Sequence, residues 1–149
     1  MVWKPEVTVA AVVESDGKFL LVEEHTTEGI RLNQPAGHLE AGESLSAAVS
    51  RETLEETAHE FVPKQLTGIY RWSKPDSDLT YLRFAFSGIL GKHHADRELD
   101  DGIIRAVWLD HSEIAGSVER HRSPLVLRCV EDYLSGRRFG MEALVDYSA

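Results

Sequence analysis

The apolar positions of this chain fall first into short strand-like runs, then into one helical segment, then into long strand-like runs again. Val7 to Val13 (VTVAAVV) is a continuous run of β-branched and small apolar residues, the pattern of a buried strand. Ser15-Asp16-Gly17 is a turn signal and Lys18 to Glu24 (KFLLVEE) reads as a second strand, which predicts a hairpin. His25 to Asn33 is polar, contains Gly29 and reads as a loop. Pro35 disfavours helix at Gln34, so Gln34-Pro35-Ala36-Gly37 is expected to be extended or turn-like. Ser44 to Thr57 follows as a helix, opened by Ser44 or Glu43. Phe61 to Trp72 and Leu79 to Leu90 are apolar-rich, and Lys74-Pro75-Asp76-Ser77-Asp78 separates them, which predicts a long hairpin. Lys92 to Gly102 is a polar, acidic loop and Ile103 to Leu109 another strand. Ser123-Pro124 opens a final helix, with Val126, Cys129, Val130 and Tyr133 as its apolar stripe and Gly136 as its stop. Strands on both sides of one central helix, with a helix at the end, predict an α+β, mixed-sheet architecture rather than a βαβ repeat.

Composition narrows the class. At 149 residues the chain is expected to form one domain, 1–149, with a core large enough to need no disulfide or structural metal. Its 42% hydrophobic and 28% charged residues exclude disordered, collagen-like and coiled-coil classes. One cysteine, Cys129, excludes an internal disulfide framework; a reducing cytoplasm is the expected location. No apolar run approaches the ~18 residues of a membrane span, and the start MVWKPEV lacks the regions of a signal peptide. With 25 acids against 16 bases, net −9, a nucleic-acid polymer is not the expected partner. A small phosphorylated molecule is compatible with this charge if a divalent cation sits between the two negative partners.

That possibility directs attention to clustered carboxylates. On a helix turning 100° per residue, with Leu45 at zero, Glu52 falls at about 340°, Glu56 at about 20° and Glu55 at about 280°, beside Val49 at about 40°. The three glutamates therefore continue the apolar stripe instead of opposing it. Like charges so placed repel and are costly when partly buried unless paired or metal-bound. Oxygen ligands converging from one helix face suit Mg²⁺ or Mn²⁺. A solvated acidic face is the plain alternative. Arg51 is positioned to pair with Glu43 or Glu55, tying the preceding loop to the helix.

Gly37, five residues, Glu43, seven residues, then Arg51-Glu52-x-x-Glu55-Glu56 resembles the Nudix box. Three positions depart from it: Thr53 and His59 stand where the pattern has hydrophobic residues, and Ala58 where it has glycine. None of the three is a candidate ligand. Ala58 bears on the helix exit, since only glycine takes positive φ without strain. Asn33-Gln34-Pro35-Ala36-Gly37-His38-Leu39-Glu40, Tyr81-Leu82-Arg83-Phe84 and Arg122-Ser123-Pro124-Leu125 are similar to a bacterial Nudix subfamily. That subfamily contains a phosphatase acting on hydroxymethylpyrimidine pyrophosphate and on nucleoside tri- and diphosphates.

The resemblance implies a Nudix fold, a mixed sheet between helices, and Mg²⁺-dependent hydrolysis of a phosphoanhydride. It implies Glu52, Glu55, Glu56 and the Gly37 carbonyl as metal ligands, with Glu43 oriented by Arg51 behind them. Candidate general bases are Glu55 and Glu56 within the box and Asp101 outside it. Asn33, Gln34, His38 and Arg83 are candidate substrate contacts. Arg83 alternates with Leu82 and Phe84, so it reads either as a phosphate contact or as a solvated arginine. Hydrolysis of ADP-ribose or oxidised nucleotides is the alternative activity, and a non-catalytic nucleotide-binding module the alternative class. The sequence leaves oligomeric state open.

The remaining chemistry-bearing residues have plainer readings. His93 and His94 are expected in an exposed loop. Cys129 reads as a small buried hydrophobe. Trp3, Tyr70 and Trp72 are expected to pack, with stacking on a base as the alternative. Glu23 and Glu24 read as a polar strand end or as one residue facing a cleft.

Overall fold

The structure is a computed structural model that describes residues 1–147. The strands in chain order are β1 (Glu6–Val12), β2 (Glu14–Ser15), β3 (Lys18–Thr26), β4 (Gly29–Asn33), β5 (Ala36–His38), β6 (His59–Ser73), β7 (Thr80–His93), β8 (Ile103–Asp110) and β9 (Phe139–Gly140). The helices are α1 (Leu45–Thr57), α2 (His111–Ala115) and α3 (Leu125–Leu134). No helix among the described residues is long and apolar enough to cross a membrane.

The strands form two sheets where one was expected. The larger has the order β5-β1-β7-β6-β9. It is mixed, because β1 pairs antiparallel with β5 and parallel with β7, Glu6 opposite Tyr81 through Val12 opposite Ser87. In the smaller sheet β3 pairs antiparallel with β2, β4 and β8. The continuous apolar run of β1 is explained by the layers on both of its faces. Val9 and Ala11 pack with Ala48 and Val49 of α1, whereas Val12 joins Val126, Cys129 and Val130 of α3. The α+β sandwich between helices is as the sequence implies.

Three local expectations are corrected. The turn at Asp16-Gly17, both at positive φ, joins only the short β2 to β3, while β1 belongs to the other sheet. The polar segment after His25 contains β4, which pairs Gly29 through Asn33 with β3. Its single buried apolar side chain, Leu32, is too weak a pattern to outweigh the turn residues before it. The exit strand of the second hairpin runs on to His93, whose ring stacks on His59 at 4.2 Å between centroids. Helix α2 was not anticipated, although Asp110-x-x-Glu113 is a capping box and both of its hydrogen bonds form.

Helix α1 begins and ends on side-chain and backbone devices that fix its rotation. Ser44 caps it, its hydroxyl accepting from the Ala47 N–H at 3.1 Å. Ala58 takes the left-handed conformation, φ 61°, which the usual glycine would adopt without strain. Its N–H still closes onto the Leu54 carbonyl, and its own carbonyl accepts from His94 at 2.8 Å. Thr53, fully buried, turns its hydroxyl back to the Val49 carbonyl at 2.7 Å, satisfying a polar group at an apolar position.

Candidate active site

The rotation of α1 sends its carboxylates inward. Glu52 and Glu56, one turn apart, are each 8% exposed, and Glu55 is half-buried. Oxygens of Glu52, Glu55 and Asp100 lie within 4.8 Å of one another. Asp100, not Asp101, is the loop residue brought to the cluster. The Asp100 N–H donates to the Glu55 carbonyl at 2.9 Å and its own carbonyl accepts from Ile103; both aspartates are exposed, and Asp101 lies in the turn that Gly102 closes at φ +87°. Two adjacent aspartates in a loop cannot be told apart by spacing, since the turn alone decides which carboxylate stands beside Glu52 and Glu55.

Glu56 lies deepest, with Oε1 accepting from the Ala36 N–H at 3.0 Å. Burial, with the nearby charges of Glu52, Glu24 and Asp100, pushes its carboxyl up to about 9. Burial also raises Glu52, against the pull of Arg51. Glu56 holds its negative form at neutral pH only if further positive charge arrives. An all-oxygen donor set short of positive charge is the environment a hard divalent cation fits.

Arg51 organises the ring around them. Its Nε and Nη2 donate to the two oxygens of Glu43 at 3.0 and 2.7 Å, and Nη1 donates to Glu52 at 2.8 Å and Glu55 at 2.9 Å. Nη2 also donates to the His38 carbonyl at 3.0 Å, and Glu40 stands 3.3 Å from Nη1. Arg51 therefore pairs with both Glu43 and Glu55. These hydrogen bonds hold the Glu43 carboxyl below its ordinary range. Glu43 in turn accepts from the Glu40 N–H at 2.8 Å, closing the loop ahead of the helix.

Gly37 packs on the Glu52 carboxylate: a Cβ there would lie 2.2 Å from the Glu52 carboxyl carbon. Only a residue without a side chain lets the β5 backbone come so close.

Glu52 and Glu56 line a cleft of ≈ 380 Å³ together with Asn33, Gly37, His38, Trp72, Tyr81 and Arg83. Arg83 settles into neither sequence reading alone. It is 6% exposed, so it is not a solvated arginine, yet it reaches the cleft wall. Its Nη1 donates to Gln34 Oε1 at 2.8 Å and to Cys129 Sγ at 3.8 Å, and Nη2 donates to Asn33 Oδ1 at 2.9 Å. All three partners are uncharged, so a buried cation lies beside the cleft without a neutralising carboxylate among them. Gln34, expected to touch substrate, lies behind the wall instead. It is 1% exposed, and its Nε2 donates to the Val126 carbonyl at 2.8 Å, which turns its oxygen toward Arg83.

Of the aromatic candidates only Trp72 lines the cleft, stacked on Tyr81 with centroids 5.7 Å apart. Trp3 is exposed and donates to the Asp78 carbonyl, and Tyr70 donates to Asp132 at 2.8 Å. Glu24 is the strand-end glutamate facing the cleft, paired with Arg122 at 2.7 Å, whereas Glu23 is held by Arg105 and Arg120. His94 bonds to Glu60 at 2.6 Å.

Comparison with known proteins agrees with this geometry. The NUDIX domain model matches residues 3–129. Phosphatase NudJ of Escherichia coli K12 is 39% identical over 146 residues, covering 98% of this chain and 94% of its own; the Shigella flexneri protein of the same name matches equally. A NUDIX hydrolase from Nitrosomonas europaea superposes with a TM-score of 0.94 at 54% identity, over 97% of this chain and 98% of its own. A MutT NUDIX hydrolase from Burkholderia pseudomallei shares the fold, with a TM-score of 0.74 at 16% identity, over 87% of this chain and 98% of its own. With Glu52 and Glu56 of the box lining one cleft and a family match spanning most of its length, this chain belongs to the Nudix family of hydrolases, enzymes acting on pyrophosphate bonds.

Proposed function

We propose that this hydrolase is Mg²⁺-dependent, with Mn²⁺ as a substitute, and releases orthophosphate from nucleoside tri- and diphosphates and from hydroxymethylpyrimidine pyrophosphate. The carrying observation is the cluster of Glu52, Glu55 and Asp100 oxygens at a cleft that Glu52 and Glu56 line together with the buried cation Arg83. The phosphatases at 39% identity support the choice of product.

Glu52, Glu55, Glu56 and the Gly37 carbonyl would hold the cation, with Asp100 a further carboxylate within reach. A bound divalent ion would neutralise phosphate oxygens and lower the pKa of a water. A carboxylate of the cluster accepts the proton of the attacking water as its oxygen bonds to the terminal phosphorus. The bridging P–O bond breaks, and its electron pair leaves on the departing phosphate oxygen. Glu55, Glu56 and Asp100 are the candidate bases, Asp100 standing in for the expected Asp101 because its carboxylate lies with those of Glu52 and Glu55. Arg51 fixes Glu52 and Glu55 in their rotamers, and Gln34 and Asn33 hold Arg83 where its charge can meet phosphate. His38 and Asn33 remain substrate contacts on the cleft wall, and Gln34 becomes a positioning residue.

Phosphorus NMR of products tests this, using nucleoside tri- and diphosphates, hydroxymethylpyrimidine pyrophosphate and ADP-ribose with Mg²⁺. Orthophosphate from the first three is expected. Pyrophosphate from triphosphates, or AMP from ADP-ribose with the others untouched, would overturn the proposed bond and substrate. Gly37→Ala is expected to push the Glu52 carboxylate aside, weakening Mg²⁺ affinity roughly 10- to 100-fold. Calorimetric titration with Mg²⁺ reads this, and unchanged affinity would remove Gly37 and Glu52 from the cation site.

A further inference from the structure

The buried charge of Arg83 is answered by none of the side chains it bonds directly. Asn33, Gln34 and Cys129 are all neutral. Cys129 does not supply the missing anion: burial raises its thiol against the pull of Arg83, so the sulfur keeps its proton at neutral pH. Sheet register and helix period place two further polar groups behind it. Tyr70 on β6 stands directly opposite Arg83 on β7, and opposed residues of antiparallel strands share one face. Tyr70 packs there against α3, on which Cys129 and Asp132, three positions apart, fall on the same side of the helix. Tyr70 is hydrogen-bonded to Cys129 and donates to Asp132 Oδ2 at 2.8 Å. Gly68 makes room for its ring, since a Cβ there would lie 2.8 Å from the Tyr70 hydroxyl oxygen. Burial, with Cys129 and Asp132 alongside, holds the phenol far above its ordinary range, so its one proton stays available to the carboxylate. Asp132 is itself 8% exposed. On its outer side Arg128 donates at 3.0 Å and Arg137 stands at 3.8 Å.

The donors all run one way. Arg83 Nη1 donates to Cys129 Sγ, the thiol proton is left for the Tyr70 oxygen, and the phenol proton goes to Asp132. Hydrogen bonds in such a chain polarise one another, so a carboxylate at its far end acts on the guanidinium through two neutral links. We infer that Asp132 is the remote counter-charge of Arg83, and that Tyr70 and Cys129 are positioning residues that carry its effect to the cleft. This rests on the reading above in one respect, that Arg83 meets a phosphate of the substrate. Tyr70, Cys129 and Asp132 act through Arg83 and touch no substrate themselves. A structural tie between β6 and α3 would account for the Tyr70–Asp132 bond alone; the thiol between that bond and the cation is what joins the two.

The order of tolerance at Cys129 separates a link from simple packing. For packing, Cys129→Ala is the milder change, because Cys129→Ser buries a more polar group. For a link, Cys129→Ser keeps a proton to pass on and Cys129→Ala does not. Affinity for a methylene-bridged nucleoside triphosphate with Mg²⁺ is read by calorimetry. It is expected to fall about three- to tenfold in Cys129→Ala and in Tyr70→Phe, and to stay within about twofold of wild type in Cys129→Ser. Asp132→Asn, which keeps an acceptor oxygen and loses the charge, is expected to match Tyr70→Phe. In an Arg83→Gln background Tyr70→Phe should cost nothing further, since a residue acting through Arg83 has no effect once the guanidinium is gone. A second readout needs no ligand: hydrogen exchange of the Arg83 Nε–H, identified in ¹⁵N NMR spectra by its absence from Arg83→Gln. Exchange should quicken in Cys129→Ala, Tyr70→Phe and Asp132→Asn, and hold in Cys129→Ser. Cys129→Ala tolerated better than Cys129→Ser, losses from Tyr70→Phe and Arg83→Gln that simply add, or exchange unmoved in all variants would each overturn the proposal, even if phosphate release in the product panel stands. Quickened exchange with unmoved nucleotide affinity supports the positioning and removes the phosphate contact of Arg83, so the two readings fail separately.

Discussion

Glu56→Gln is expected to cut phosphate release on the order of 10³-fold or more, yet to make the cation-free protein more stable at pH 8. The amide keeps the oxygen that accepts from Ala36, so the fold has no reason to move. What disappears is a carboxylate the cation would use and a charge that burial opposes. Glu56 titrates at about 9 in the folded chain, against 4.5 as its ordinary value. An acid raised in this way supports the fold fully below about pH 4.5, and that support is lost as pH climbs through about 9. Glu52, raised by burial as well, acts in the same direction. In chelator, the wild-type Tm should therefore fall between pH 5 and pH 9 more steeply than that of the variant, and Mg²⁺ should restore the wild type at pH 8. Parallel Tm curves for the two proteins would show that Glu56 is not the buried acid responsible, and retained turnover would remove it from the catalytic centre.

Arg51→Ala carries the second large effect. Arg51 donates to Glu43, Glu52, Glu55 and the His38 carbonyl at 2.7–3.0 Å. Its removal leaves three carboxylates facing one another in a partly buried site. Breaking a buried pair costs about 3–5 kcal/mol; with the Arg51 side chain 23% exposed, a loss of about 2–3 kcal/mol is expected after discounting for solvent. kcat/KM should fall by about 10²-fold, because Glu52 and Glu55 lose the group that orients them. Arg51→Lys should recover part of the stability and little of the activity, since a single ammonium cannot reproduce the fork. Urea denaturation and steady-state kinetics read both quantities, and wild-type values for Arg51→Ala would show that the clamp has no part in either.

The sequence made the helix and its charges legible because both depend on local period. Counting 100° per residue put Glu52 and Glu56 on the buried stripe, and both are buried there. Ser44 announced the cap it forms. What required the tertiary structure was anything decided by chain crossings. A mixed sheet was expected, but which strands pair was not: the parallel pairing of β1 with β7 is encoded by no run of apolar residues. Asp100 faces the cluster and Asp101 does not because of one turn and one backbone hydrogen bond to Glu55. Arg83 alternates with apolar neighbours in sequence, which leaves cleft and solvent equally open, but the side it points to holds Gln34 and Cys129.

The parallel register of β1 and β7 also has a kinetic meaning. Pairing Glu6 with Tyr81 and Thr8 with Arg83 requires the chain to close a loop of roughly 75 residues, an entropic cost met before the contacts it allows are made. Thr8, Asn33, Gly37 and Arg83 all line the cleft, so its floor exists only once that closure is complete. A nascent or partly unfolded chain therefore has no half-built version of the cleft in which to hold a phosphorylated metabolite. Competence to bind arrives together with the finished topology, and the two are lost together on unfolding.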